Sequence, residues 1–172
     1  MHSAFQRINT LSAFSVSVLT ALAIGCFLTS YMYSPNANPE VDVRLLQLRT
    51  IFYFDQSVDV AALTFDLHAD FSSVMNWSTH VVFIYLTAEY ETQNNRVNQV
   101  VVWDKILQQG DNPVLNYKEQ PGKYGLFDDG TGLRGNKNVT LSLHWNVIPL
   151  IGSLPRFSGG HRQVSFPQQD SL

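Results

Sequence analysis

The sequence predicts one N-terminal transmembrane helix followed by an all-β, sandwich-like domain on the far side of the bilayer. Three observations predict it. From Leu11 to Tyr33 the chain runs for 23 residues without a charge. Beyond residue 40, apolar side chains recur with a period of two and no stretch shows a convincing helical period. Clusters of Gly, Pro, Asn and Asp punctuate these alternating runs as turn signals. The expected organisation is a short cytosolic N-terminus over 1–10, a transmembrane helix over 11–33, a linker over 34–40 and a lumenal β-domain over 41–172.

The 172 residues suit one domain plus an anchor, and the abundance of apolar and aromatic side chains allows a true core. Eleven Lys and Arg are scattered along a chain of net charge -3, so there is no nucleic-acid footprint. Cys26 is the single cysteine and lies inside the apolar segment, which leaves no internal disulfide. The domain must therefore be stable through packing alone, and about 130 residues suffice for that.

The apolar run comes first. At 1.5 Å per residue it spans roughly 34 Å, enough for a hydrocarbon core of about 30 Å with some tilt. A cleaved signal peptide is the rival reading. Its apolar region is shorter, about 7–15 residues, and leads to a small-residue cleavage site. Ala21-Leu22-Ala23 mimics such a site, and Leu22 to Cys26 mimics a lipoprotein box with a poor residue at Ala23. Apolar residues continue past both, so length favours an uncleaved anchor. Before the span stand the α-amino group and Arg7; after it come Glu40 and Asp42. Excess positive charge stays cytoplasmic, which puts the N-terminus inside and carries the rest across. Ala13, Ser17, Ala21, Gly25 and Thr29 recur every four residues. Small side chains let helices approach closely in lipid, so the stripe reads as a docking face for other transmembrane helices. The bland reading is that a span rich in Ala and Ser yields such a stripe by composition.

After the Pro- and Asn-containing linker, Val41 to Ile51 alternates with a slip at Leu45-Leu46 that marks a bulge. Leu63, Phe65, Leu67, Ala69 and Phe71 alternate with Thr64, Asp66, His68 and Asp70, the period of a half-buried strand. Val81 to Tyr90 is a continuous apolar-aromatic run, expected to be buried on both faces. Val100 to Trp103 is a shorter β-rich run. Val139, Leu141, Leu143, Trp145 and Val147 alternate with polar residues as cleanly as the first case. Turns are expected at Gln93-Asn94-Asn95, at Gly110-Asp111-Asn112-Pro113, at Gln120-Pro121-Gly122 and over Asp128 to Asn138. Two sheets that bury each other's apolar faces are the economical solution. Two glycosylation sequons fall in this part, Asn76-Trp77-Ser78 in a loop and Asn138-Val139-Thr140 at the start of a strand. Asn138 and Thr140 share the polar face there, so a glycan is sterically permitted.

Catalytic and binding motifs are sparse. Residues 130–135 match G-x-G-x-x-G, yet a strand follows where a dinucleotide site needs a helix, so a glycine-rich turn is the better reading. Asp66, His68 and Asp70 project from one strand face and could bind a metal; polar residues are equally what the wet face of that strand requires. Ser, His and Asp are present, but no Gly-x-Ser-x-Gly elbow is. No catalytic, cofactor or metal site emerges, and no small-molecule substrate is implied.

Longer segments are more specific. Leu63-Thr64-Phe65-Asp66, Asn76-Trp77, Leu86-Thr87-Ala88-Glu89-Tyr90 and Asn98-Gln99-Val100-Val101-Val102-Trp103-Asp104-Lys105 resemble, in this order, the signal peptidase complex subunit 3 family. So do Gly110-Asp111-Asn112-Pro113, Phe127-Asp128-Asp129-Gly130, Leu133-Arg134-Gly135-Asn136 and Asn138 to Val147, and Arg7-x-Asn9 ahead of the span. Residues 117–125 and those after Pro155 match less closely. The resemblance implies a non-catalytic accessory subunit of the endoplasmic reticulum signal peptidase, single-pass with its domain in the lumen. Its implied partners are the catalytic subunit and the other subunits of that complex. It carries the family's glycosylated asparagine onto Asn138 and does not extend to the Asn76 sequon. Two other classes compete with it, a lumenal hydrolase and a membrane-anchored lumenal sugar- or peptide-binding β-module.

Overall fold

The computed structural model describes residues 3–30, 32, 37–38, 40–53, 56–92, 95–128, 133 and 135–166. Helix α1 runs Ala4–Ser30 and is long and apolar enough to cross a membrane. It begins earlier than the uncharged run because Ser3 caps it: the Ser3 Oγ accepts the Gln6 N–H at 3.3 Å, the N-cap to N3 bond. Most of its described hydroxyls bond back to the helix's own carbonyls, as suits a lipid surrounding. Ser15 donates to the Leu11 carbonyl at 2.8 Å, Ser17 to Ala13 at 2.9 Å and Thr20 to Val16 at 2.8 Å. Tyr31 and residues 33–36, which hold the expected end of the span and most of the linker, lie outside the described residues.

Eight strands follow: β1 Glu40–Tyr53, β2 Gln56–Asp70, β3 Thr79–Tyr90, β4 Asn98–Gln108, β5 Val114–Pro121, β6 Leu126–Asp128, β7 Val139–Pro149 and β8 Arg156–Val164. They form two antiparallel sheets. The first has the order β1-β2-β5 with β6 also paired to β2, and the second the order β4-β3-β7-β8. The expected bulge is present one residue earlier than read: Val43 opposes Phe65 and Leu45 opposes Thr64, which leaves Arg44 as the extra residue.

The core lies between the sheets. Ala61, Phe65, Leu67 and Ala69 of β2 face Val82, Ile84, Leu86 and Ala88 of β3 and Leu141, Leu143 and Trp145 of β7, all buried. Aromatic edges lock it: Phe65 meets Trp103 at 5.7 Å and Phe71 meets Trp145 at 5.8 Å, both T-shaped. The run Val81–Tyr90 departs from expectation. Its even-numbered members are buried, but Val81, Phe83, Tyr85 and Glu89 are half-exposed on the outer face. No further layer covers that face among the described residues, so the aromatic and β-branched side chains there are held by their neighbours in the sheet.

The two ends of the sandwich differ in what they gather. The start of β1, the end of β2, and the β2–β3, β4–β5 and β7–β8 connections share one end, as the pairs Glu40–His68, Asp70–Val114, Val81–Gln108 and Thr79–Pro149 require. The chain arrives from α1 at this end. Ala37 is fully buried there, and its carbonyl accepts the Asp70 N–H at 3.1 Å.

Candidate interaction surfaces

The outer face of the second sheet departs most from an ordinary wet surface. Tyr85 and His144 oppose each other across β3 and β7. Their rings stack at 5.2 Å, and Phe83 continues the stack onto Tyr85 at 5.3 Å. Beside this aromatic row two buried polar atoms have no hydrogen-bond partner, His144 Nε2 and Asn146 Oδ1. An unmade bond of that kind carries the desolvation cost of the group. Glu89 Oε1 lies 4.0 Å from His144 Nε2, too long for a hydrogen bond, and accepts one from Gln99 Nε2 at 2.6 Å instead. Burial depresses the His144 pKa, opposed by Glu89 and helped by His161 and Arg156, so the ring is neutral at neutral pH.

The other candidate residues divide. Asp66 accepts the Glu119 N–H at 2.8 Å across the β2–β5 pair. Asp70 is held below its usual carboxylate range by hydrogen bonds from Ser72 at the turn that follows β2. Among the described residues no group of three His, Cys, Asp or Glu could hold a metal ion. Asp66 and His68 instead line an open groove of about 540 Å³ with Glu40, Asp42 and Arg162, and Arg162 reaches Asp42 at 3.3 Å. Ser142 Oγ lies 2.7 Å from His161 Nδ1, the geometry of a nucleophile and its base. Ser142 is only 2% exposed, however, so a substrate carbonyl cannot reach its hydroxyl.

Of the G-x-G-x-x-G segment, residues 130–132 and 134 lie outside the described residues. Leu133 is fully buried, Gly135 has φ +64°, and the Asn136 N–H closes on the Leu133 carbonyl at 3.1 Å. Strand β7 then begins at Val139, so a strand follows the segment where a dinucleotide site needs a helix.

The two sequon asparagines have different surroundings. Asn138 is exposed, just ahead of β7 at the end opposite the chain's arrival. Asn76 is half-buried in the β2–β3 loop, where its Oδ1 accepts the N–H groups of Ser78 at 2.9 Å and Thr79 at 3.2 Å. Ala13, Ser17, Ala21, Gly25 and Thr29 are all exposed on α1, and a Cβ added at Gly25 would meet nothing within 4 Å. Sequence reasoning missed Tyr85, His144 and Asn146. Their signal was the register that sets an aromatic ring opposite a histidine, and alternation alone does not reveal register.

Comparison with known proteins matches the chain over residues 1–169 to the family described as "Signal peptidase subunit". It is 46% identical over 171 residues to the signal peptidase complex subunit 3 of Gallus gallus, covering 97% of this chain and 95% of that one. With the Homo sapiens protein of that name it shares 44% over the same shares of both chains. The Drosophila melanogaster protein of that name is 38% identical, over 97% of this chain and 96% of its own.

Proposed function

Since the chain belongs to the signal peptidase subunit family, we propose that it is a non-catalytic accessory subunit of the endoplasmic reticulum signal peptidase complex, with its β-domain in the lumen. There it braces the catalytic subunit as signal peptides are removed from nascent secretory and membrane proteins. The observation that carries this reading is the likeness to subunit 3 proteins along 97% of the chain, helix and both sheets alike. Two structural features support it. The outer face of β3 and β7 would gain hydrogen-bond partners for His144 Nε2 and Asn146 Oδ1 by docking on a protein surface. The one serine–histidine contact described is sealed from substrate.

A brace can govern a protease without touching its chemistry. Holding a scissile bond and a nucleophile in register is worth several kcal/mol of barrier, and the partner that fixes the active domain against the membrane controls that register. The test is depletion of this subunit from cells, followed by pulse-labelling of a secretory preprotein. Uncleaved preprotein should accumulate, and the tagged chain purified in mild detergent should bring a signal-peptide-cleaving activity that it lacks when purified alone. Normal processing after depletion would overturn the proposal.

A further inference from the structure

We propose that the end of the sandwich where the chain arrives from α1 dips into the bilayer, with Trp77, Leu150, Ile151 and Leu154 entering the headgroup–acyl boundary. This inference rests on α1 spanning the membrane and is independent of membership in a complex and of which side the domain occupies.

The four side chains come from two loops that are tied together. Residues 71–78 connect β2 to β3, and residues 150–155 connect β7 to β8. The Leu150 N–H donates to the Ser78 carbonyl at 2.7 Å, directly after Trp77. Trp77 is 47% exposed, Leu150 61%, Ile151 43% and Leu154 69%. The display is built. A helical turn brings the Met75 N–H to the Phe71 carbonyl at 2.9 Å, Thr79 Oγ1 donates to the Val74 carbonyl at 2.8 Å, and Asn76 caps the Ser78 and Thr79 N–H groups. Trp77 stands out from a loop whose backbone is held by these bonds, while the buried Ser78 Oγ beside it has no partner.

Two further observations select lipid as the occupant. The first is reach. Only residues 31–36 separate Ser30 of α1 from the buried Ala37, and that much chain spans at most about 25 Å. Ala37 is bonded to Asp70, the residue before the first loop, so this end of the domain cannot move far from the membrane that holds α1. The second is charge. Neither loop contains an acidic or basic residue and the third connection at this end, residues 109–113, carries Asp111 alone, whereas the described residues of the connections at the opposite end carry Glu91, Arg96 and Lys137. A tryptophan beside leucines and isoleucine, free of charge and tethered at the bilayer surface, has the composition of an interfacial anchor.

The test uses the full chain reconstituted in phosphatidylcholine vesicles, with or without bromine on the acyl chains to quench nearby indole emission. Trp103 and Trp145, 2% and 3% exposed, are shielded in the core, so Trp77 is the indole that lipid can reach. Emission should fall in brominated lipid for the unmodified chain and not for Trp77→Phe, and a Leu150→Ser/Leu154→Ser chain should lose part of that fall while its core emission persists. Equal emission in the two lipids, or an equal fall with and without Trp77, would overturn the proposal. So would a Trp77 open to aqueous quencher in vesicles and shielded only when other subunits are added, since the patch would then be a protein-docking surface.

Discussion

His144 shows how one side chain can carry a measurable property of the fold. It stacks on Tyr85, its Nε2 is buried without a partner, and burial holds its pKa below the model-compound value of 6.5. In the interval between the folded and unfolded pKa values the unfolded chain binds the more protons, so stability rises with pH there. Acidification from neutral pH through that interval therefore weakens the fold, and the loss levels off below the folded value. Glu89 on β3 opposes the shift, while His161 and Arg156 on β8 add to it. Thermal unfolding of the full chain in detergent should show a lower midpoint at about pH 5 than at about pH 7. Replacing His144 by Phe keeps the stack and removes both the titration and the orphaned nitrogen, so its contribution to that drop should vanish with no loss of stability at neutral pH. An unchanged drop would place the acid sensitivity elsewhere. The residues that make the core were readable in advance, because alternation alone put Phe65, Leu67, Ala69, Leu141, Leu143 and Trp145 inward. His144 was not, because the same alternation labels it simply as polar and outward.

Among the elements, legibility followed apolar pattern. The alternations in β2 and β7 mark strands in full view. Strand β5 is mostly exposed, with Leu115 as its buried residue and a left-handed Glu119 at φ +51°, so no apolar alternation marks it between the turns expected at 110–113 and 120–122. Strand β8 is an edge strand bearing Gly159-Gly160, and its existence depends on pairing with β7 more than on its own propensity. The helix was plain, but the role of its small-residue stripe is a proposal about what it packs against. Ala21→Leu with Gly25→Leu would thicken that face and hold neighbouring helices apart. Helix packing of this kind is worth about 1 kcal/mol, so co-purification of other complex subunits should weaken roughly fivefold. Val16→Leu, on the other side of α1, should leave it unchanged. Equal effects from both variants would reduce the stripe to composition.

For the whole molecule, the proposed placement gives the two ends of the sandwich different surroundings. The end that receives the chain carries two uncharged loops, a third with Asp111, and Asn76, whose side chain is spent on turn hydrogen bonds; the far end carries Glu91, Arg96 and Lys137 and the exposed Asn138. A glycan needs open solvent around its asparagine, and the two ends differ in that respect. Asn138→Gln should therefore abolish a glycosidase-sensitive shift in gel mobility, and Asn76→Gln should leave it intact. The lumenal side proposed for the domain is a separate matter, and it rests on Arg7 ahead of the span and Glu40 and Asp42 behind it, a bias of only a few charges. Protease added to sealed microsomes should spare the β-domain until detergent opens the membrane, and digestion without detergent would reverse the orientation. The two measurements separate cleanly. Protection without a mobility shift would retain the lumenal placement and remove Asn138 as the acceptor, because the protease reads the side of the membrane and the glycosidase reads the asparagine.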